Sequence, residues 1–286
     1  MSDDAAERRG ELREAWEKQS AGWGRQADRV RQDGMAVSAW MIDHARLQPG
    51  QRVLELAAGP GDTGFLAAEL IRPGGTLISS DGSEGMLELA RTRARLQGIE
   101  NVEFKQLELE WIDEPAASFD VVLCRWGVML ALDPAAALAE FRRVLRPGGR
   151  LALAVWDDPA ANPAMTLLPG LLARLGLVDP PNGSPPPGPG PFALSAPGEL
   201  AERLSAAGFT DVLVEPVAIE RTYQSVTDWL GESVDLSMTF SSTWRDLDSS
   251  QRQVVQREAE RLAERFTRAD GSLVMPGRSL GGAAEA

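Results

Sequence analysis

The stretch 53–64, Val-Leu-Glu-Leu-Ala-Ala-Gly-Pro-Gly-Asp-Thr-Gly, constrains the fold of this chain more than any other. The mainly apolar run that opens it, 53–56, is typical of a strand buried on both faces of a parallel sheet. The run ends at Gly59-Pro60-Gly61, and Asp62 or Thr63 then caps a helical pattern. The sequence therefore predicts a strand, a tight glycine turn and a helix, and ligands of doubly wound α/β folds bind at such turns.

Two ligand classes fit this turn. The spacing Gly59-x-Gly61-x-x-Gly64, followed by Asp81, matches the fingerprint of dinucleotide binding. Glu55, inside the strand, favours another class, because a buried carboxylate is costly unless a cation or donors meet it. Near a pyrophosphate this carboxylate would be repulsive, whereas near the ammonium of an amino-acid-like ligand it would be favourable. The pattern therefore favours S-adenosylmethionine, which carries a sulfonium and an ammonium but no phosphate.

Short apolar runs alternate with helical patterns through the middle of the chain. Glycine and proline separate them, as at Pro73-Gly74-Gly75, and Ser83 and Asp133 stand where helix N-caps are expected. Strands are predicted at 52–57, 76–80, 102–105, 121–124 and 151–156. Strands that alternate with helices indicate a parallel α/β sheet with right-handed crossovers, which is a doubly wound, Rossmann-like fold.

The N-terminal segment, 1–48, is predicted to be a helical lid that lies on the main domain. Its apolar spacing indicates a helix over 7–33, interrupted at Gly22 and Gly24, and a second helix over 35–47. Pro49-Gly50 provides the stop signal for that second helix.

The main domain is predicted to span 49–286 and to contain two insertions that cover the ligand site. The first, at about 157–197, includes a tract at 180–191 that is rich in proline and glycine. The second, at about 225–268, is mainly helical. The remaining predicted elements are a helix at 197–207, a strand at 212–223 and a last edge strand at 272–280, followed by a tail, 281–286, that carries little structural signal.

Composition narrows the range of partners. The net charge is −13, the pI is about 4.7, and Lys18 and Lys105 are the two lysines. Because nucleic acid would be repelled by a chain this acidic whose arginines do not cluster, a small molecule is the expected partner. The single cysteine, Cys124, excludes an internal disulfide. The oligomeric state stays open, with a homodimer among the alternatives.

The chain has no apparent targeting or membrane segment. Residues 1–10 are charged and lack the apolar stretch of a secretory signal. No apolar run reaches the ~18 residues that a membrane span requires. A cytoplasmic protein is therefore expected.

Several stretches together resemble class I S-adenosylmethionine-dependent methyltransferases, in particular the ubiquinone/menaquinone-biosynthesis type. The turn at 55–61 is similar to that family's Asp/Glu-x-Gly-x-Gly-x-Gly, with Ala57 in place of the first glycine. The segment 81–87 is similar to the family's Asp-x-Ser-x-x-Met-Leu. Further matching segments are 107–110, 119–127 and 145–150. The resemblance is strong over 50–156 and weak over 197–223.

The resemblance implies a fold and a cofactor site. The fold is a seven-stranded sheet, mostly parallel, whose antiparallel last strand forms an edge hairpin with the sixth, and the helices of 225–268 lie between those two strands. Asp81 would hold both ribose hydroxyls, and Glu108 would accept from the adenine amino group. The expected cofactor-binding residues are Glu55, Ala57, Gly59, Gly61, Asp81, Gly82, Met86, Glu108, Leu109, Cys124, Arg125 and Trp23.

The methyl acceptor is expected in an aromatic pocket. Trp126 and Trp156 follow the fourth and fifth strands on the ligand side of the sheet. The candidate catalytic residues are His44, whose place in the last turn of a helix favours a structural role, and Arg125. Arg125 either binds an acceptor carboxylate or phenolate, or pairs with an acidic residue. No metal is expected. The chain has no cluster of cysteine and histidine for zinc, and Arg125-Trp126 and Asp157-Asp158 stand where metal-dependent relatives of the family carry an aspartate and an Asp-Asn pair.

The predicted function is methyl transfer from S-adenosylmethionine to a small, largely apolar acceptor, such as an aromatic quinol or a natural product. Two alternatives stay open. The first is an NAD(P)-dependent oxidoreductase on a Rossmann fold, although Tyr223 is the only tyrosine and neither lysine is near it in sequence. The second is a protein that binds S-adenosylmethionine without turnover.

Overall fold

The computed structural model describes residues 3–178 and 189–286. The strands over these ranges are β1 (Arg52–Glu55), β2 (Thr76–Asp81), β3 (Val102–Gln106), β4 (Phe119–Arg125), β5 (Leu145–Trp156), β6 (Thr210–Tyr223) and β7 (Leu273–Glu285). The α-helices are α1 (Asp3–Ala45), α2 (Asp62–Leu70), α3 (Glu84–Gln97), α4 (Pro134–Val144), α5 (Pro163–Arg174), α6 (Glu199–Ala206), α7 (Val226–Leu236), α8 (Met238–Asp246) and α9 (Ser249–Ala263). The predicted tract at 180–191 falls mostly outside the described residues.

The strands form one sheet in the order β3-β2-β1-β4-β5-β7-β6. The first five in that order are parallel, with Val53 beside Leu77 on β2 and beside Val121 on β4. Strand β7 is antiparallel to both of its neighbours. This is the predicted doubly wound, mostly parallel seven-stranded sheet, and it brings the carboxyl ends of β1, β2 and β4 to one edge, where ligands of such folds bind.

The last strand differs from its prediction. Strand β7 is not at the edge but lies between β5 and the edge strand β6, and it includes most of the tail at 281–286. The tail looked uninformative because its buried residues are small: a Cβ on Gly281 would lie 2.5 Å from the Trp40 ring, and Gly282 pairs with Leu153. Close packing of backbone against side chains, rather than apolar bulk, places this strand inside the sheet.

Helix α1 also differs from its prediction, because it is one continuous helix of 43 residues. The two glycines that suggested an interruption are contact points inside it. A Cβ on Gly22 would lie 2.2 Å from the backbone oxygen of Asp235, and one on Gly24 would lie 3.0 Å from Leu89. Both glycines therefore allow close packing against neighbouring helices instead of ending the helix.

The predicted helical insertion at 225–268 lies between β6 and β7 and consists mainly of α7, α8 and α9. It packs with α5, which lies in the first predicted insertion. Their shared core includes Leu168, Trp229, Phe240 and Val255. No helix within the described ranges combines the length and apolar character that crossing a bilayer requires.

Candidate active site

A cavity opens at the carboxyl ends of β1, β2 and β4, and the N-terminal part of α1 forms its outer wall. Its empty volume is about 1000 Å³ including the mouth. The position is the one that the glycine turn predicted.

The turn after β1 presents backbone to the cavity. Ala57 and Gly59 line it, and both have left-handed backbone, with φ of 49° and 53°. A Cβ on Gly59 would meet nothing within 4 Å, so this residue borders open space. Gly61, with φ of 89°, lies outside the lining, and a Cβ there would be 2.5 Å from the Phe65 ring. Gly61 therefore serves the turn rather than the cavity wall.

Asp81, at the end of β2, holds the turn from the other side. Its Oδ2 accepts from the backbone N–H of Gly59 and its Oδ1 from that of Ser83, each at 2.9 Å. Burial raises the pKa of Asp81 to about 6, against the lowering effect of these amides. Asp81, Gly82 and Met86 all line the cavity. An acidic oxygen that still has free lone pairs is thus available to donors from a ligand.

Glu55 lies behind the turn and outside the cavity lining, in contrast to its predicted contact with a ligand ammonium. Its Oε1 accepts from the Gly64 backbone N–H at 2.7 Å and its Oε2 from Ser79 Oγ at 3.2 Å. Burial raises the pKa of Glu55 to about 7. A Cβ on Gly64 would lie 2.1 Å from this carboxylate. The third glycine of the dinucleotide fingerprint therefore accommodates Glu55, and its amide is not free for a pyrophosphate.

The segment after β3 forms the wall opposite the turn, with Leu107, Glu108 and Leu109 in the lining. Burial raises the pKa of Glu108, and Arg13 of α1, 3.6 Å away, opposes that rise. Glu110 accepts from the backbone N–H of Leu132 at 2.8 Å. Glu110 also lines the cavity, and through its Oε1 it supports the segment before α4.

Residues of α1 that were not predicted as ligand contacts complete the cavity. Arg13 and Trp16 line it beside the predicted Trp23, and the two indoles are 6.0 Å apart at 65°. Directly after Trp16, Glu17 Oε2 accepts from Ser83 Oγ at 2.7 Å and from the Gly85 backbone N–H at 3.0 Å, and these bonds lower its pKa. The helical spacing of the tryptophans was the available signal, but it could not distinguish a cavity wall from a core face.

Arg125 and Trp126 close the cavity at the end of β4. Arg125 Nη2 donates to Asp62 Oδ2 at 2.9 Å, so the predicted pairing with an acidic residue is present. Its guanidinium lies 4.7 Å over the Trp126 ring. Trp126 stacks on Trp156 at 4.3 Å and 14°. Trp156 is buried behind Trp126 and does not line the cavity, so it supports the pocket wall and is not the predicted second contact surface.

Two further predicted residues lie away from the cavity. Cys124 is fully buried outside the lining, and burial raises its pKa to about 12. His44 stacks on Trp40 at 4.0 Å, and its Nδ1 lies 2.8 Å from the Trp40 backbone oxygen. His44 is therefore a helix-end residue and not a candidate base. Within the described ranges, no group of three histidine, cysteine, aspartate or glutamate residues could hold a metal ion.

Comparison with known proteins shows which family the sequence of this chain resembles. Residues 47–170 match the family model of a methyltransferase domain. The ubiquinone/menaquinone biosynthesis C-methyltransferase of Shewanella frigidimarina is 34% identical over 119 residues, which are 41% of this chain and 47% of that protein. Residues 47–170 of this chain are therefore similar to a methyltransferase domain. The protein of the same name from Hahella chejuensis is 35% identical over 126 residues, 44% of this chain and 50% of that protein.

The fold resembles a solved structure well beyond the matched segment. The YcgJ protein of Bacillus subtilis superposes with a TM-score of 0.56 at 20% identity, over 87% of this chain and 97% of that one. The resemblance to S-adenosylmethionine-dependent methyltransferases is thus confirmed, while the chain spans about half the length of the curated relatives it matches. The matched segment contains Asp81 and the turn at Ala57 and Gly59, whereas α1, which forms the outer wall of the cavity, precedes it.

Proposed function

We propose that this protein transfers a methyl group from S-adenosylmethionine to a small, largely apolar, aromatic acceptor. The observation that carries the proposal is the position of Asp81, which lines the cavity between the glycine turn and apolar walls. The names of its relatives from Shewanella and Hahella, C-methyltransferases of ubiquinone and menaquinone biosynthesis, support an acceptor with an aromatic ring.

The residues present fit S-adenosylmethionine. Asp81 would accept from the ribose hydroxyls, and Leu107, Glu108 and Leu109 would hold the adenine between apolar contacts and one acidic oxygen. A dinucleotide fits less well, because Glu55 accepts from the Gly64 backbone N–H and so leaves that amide unavailable to a pyrophosphate. When bound, the cofactor would supply an electrophilic sulfonium methyl group.

The residues around the cavity would act by positioning and by exclusion of water. The Trp126 face, supported by Trp156, would orient a flat acceptor, and α1 with Trp16 and Trp23 would cover the site. Alignment of this kind can provide ~7–11 kcal/mol of the barrier to a bimolecular step. The described lining contains no histidine that could act as a base. Oxygen, carbon and nitrogen acceptors are all compatible with this arrangement.

Calorimetric titration with S-adenosylmethionine, S-adenosylhomocysteine and NADH tests the cofactor assignment. We expect both adenosyl ligands to bind with Kd of about 1–10 μM and the Asp81→Ala variant to lose at least about tenfold in affinity, because the ribose contact is removed. Lys105→Ala serves as the control, since Lys105 lies outside the cavity lining.

The outcomes separate the alternatives. Binding of NADH alone would overturn the proposal in favour of an oxidoreductase. Binding of both adenosyl ligands without methyl transfer to any of a panel of quinols, phenols and amines would favour a protein that binds the cofactor without turnover.

A further inference from the structure

Glu17 of α1 is bonded to the start of α3 at the edge of the cavity. Its Oε2 accepts from Ser83 Oγ at 2.7 Å and from the Gly85 backbone N–H at 3.0 Å. The Gly85 amide and the Ser83 hydroxyl lower the pKa of Glu17, so its carboxylate is ionised at neutral pH. Its charge also faces the positive end of the α3 dipole. Glu17 lies outside the cavity lining, so any effect on a bound ligand has to pass through its partners.

Ser83 is the partner that leads into the cavity. It is 1% exposed, it lines the cavity, and its backbone N–H donates to Asp81 Oδ1 at 2.9 Å. Its hydroxyl has one proton, which is donated to Glu17, and the oxygen is left to accept from the Met86 N–H at 3.2 Å. Glu17 therefore fixes the rotamer of Ser83 and, with it, the turn from β2 into α3.

The orientation of Asp81 depends on this turn. The Gly59 amide donates to one carboxylate oxygen and the Ser83 amide to the other, so the carboxylate is held between the glycine turn and α3. Ligand contacts of this kind tolerate displacements of only about 0.5 Å. A shift of Ser83 would release one oxygen and misalign the carboxylate that lines the cavity.

The same helix is held from two sides. On the side of the inserted helices, Gln26 donates to the Asp235 carboxylate at 2.7 Å. On the cavity side, Arg13 lies 3.6 Å from Glu108, and the two bonds of Glu17 join the helix to α3. One side chain, Glu17, therefore takes part both in docking α1 over the cavity and in orienting Asp81.

We propose that Glu17 is a positioning residue for the cofactor: through Ser83 it orients Asp81, so that recognition of the ribose is complete only while α1 covers the cavity. The inference rests on the proposed function and gives α1 a part in cofactor recognition besides covering the site. Such coupling is reciprocal, so a ligand with both ribose hydroxyls stabilises docked α1 more than a ligand without the 2′ hydroxyl.

Calorimetry with S-adenosylhomocysteine and its 2′-deoxy analogue tests this coupling, because the ratio of the two affinities measures ribose recognition. We expect a ratio of at least about ten in the wild-type protein and of no more than about three in Glu17→Ala. Glu17→Gln should keep most of the wild-type ratio, since its amide oxygen can still accept from both donors. Glu14→Ala is the matched control, because Glu14 lies on the same helix, outside the cavity lining, with its side chain 74% exposed.

The possible results separate three cases. A helix that is only loosened would bind both ligands more weakly by the same factor, so an unchanged ratio in Glu17→Ala would overturn the inference. A ratio near one in the wild-type protein would also overturn it, since Asp81 would then not recognise the 2′ hydroxyl. If S-adenosylhomocysteine does not bind the wild-type protein at all, the proposed function fails, and the inference fails with it.

A double-mutant cycle tests the route through Ser83. In a Ser83→Ala background, Glu17→Ala should lower the ratio by less than about twofold, because the hydroxyl that connects the two residues is already absent. Equal reductions in the two backgrounds would contradict this route. Glu17 is exposed, so its substitution should leave the fold intact, which circular dichroism verifies.

Discussion

Asp81 combines two properties at the scale of a single residue. It is partly buried, which favours its protonated form, and it would have to be ionised to accept well from the two ribose hydroxyls of the proposed cofactor. The amides of Gly59 and Ser83 compensate only in part, and its pKa stays raised to about 6. The carboxylate that fixes the glycine turn is therefore also a group that titrates close to neutrality.

Binding of S-adenosylhomocysteine should depend on pH through this residue. The folded carboxyl takes up a proton at a higher pH than an ordinary aspartate, so acidification below about pH 6 neutralises it. We expect affinity to fall by about tenfold per pH unit below that point. Calorimetry between about pH 5 and pH 8 measures the dependence.

The control for this titration is Asp81→Asn, which cannot ionise. It should bind more weakly across the range and lose the dependence near pH 6. An equally steep slope in Asp81→Asn would assign the titration to another group, such as Glu55, whose pKa is raised to about 7.

The roles of some residues were predictable from the sequence because they depend on chain neighbours, as in helix caps. Ser83 caps α3 by accepting from the Met86 N–H at 3.2 Å, and Asp133 caps α4, as their positions before helical patterns indicated. Glu17 was not predictable, because its partners Ser83 and Gly85 are 66 and 68 residues away in sequence. Side chains that act across the fold leave no local pattern.

At the scale of an element, α1 shows why Gly22 and Gly24 do not interrupt the helix. Glycine lowers helix propensity, which is the signal that the sequence offers, but tertiary contacts override it. Polar groups of α7 hold the helix on both sides of Gly22: Gln19 donates to the Asp235 backbone oxygen, and Gln26 donates to the Asp235 carboxylate at 2.7 Å. Such contacts decide the conformation of a helix but are invisible to a propensity argument.

A pair of substitutions in α1 separates propensity from packing. Gly22→Ala should destabilise the protein by about 1–3 kcal/mol, because its Cβ would lie 2.2 Å from the Asp235 oxygen. Gly10→Ala should stabilise it slightly, by at most about 1 kcal/mol, since a Cβ there meets nothing within 4 Å. Urea unfolding measures both. Stabilisation by Gly22→Ala would show that α1 and α7 are not in close contact.

At the scale of the whole molecule, a buried ionic cluster connects α1, β6 and α7. Arg221 donates to Glu232 at 2.8 Å and to Asp33 at 3.3 Å, and the Tyr223 hydroxyl donates to Glu232 at 2.7 Å. Burial raises the pKa of Asp33 and of Tyr223. The helix that covers the cavity is thereby joined to the inserted helices.

Removal of the cation from this cluster should be costly. Arg221→Met leaves the carboxylates of Asp33 and Glu232 buried without their cation, and we expect a loss of about 3–5 kcal/mol in the free energy of unfolding. The double variant Arg221→Met/Glu232→Gln should recover part of that loss, because one of the two buried charges is gone. A single variant as stable as the wild type would show that the cluster does not hold α1.

The parallel half of the sheet was predictable as a whole, since each strand of 52–156 is bounded by its own turn and cap signals. The antiparallel part of the sheet, β6 and β7, was only partly predictable from the sequence. Strand β7 is built around Gly281, Gly282, Ala283 and Ala284, which carry no period-2 apolar pattern. Its place between β5 and β6 depends on neighbours such as Trp40 and Leu153, distant in sequence.

The order of the strands has a consequence for synthesis on the ribosome. Strand β6 and the helices α7 to α9 emerge before β7, the strand that joins β6 to the rest of the sheet. Until residues 273–285 are available, β6 has no pairing partner and β5 keeps an open edge. During synthesis, the parallel strands that form the ligand-binding edge are therefore complete while β6 is still unpaired. Chaperone contacts and aggregation should concentrate at 210–223.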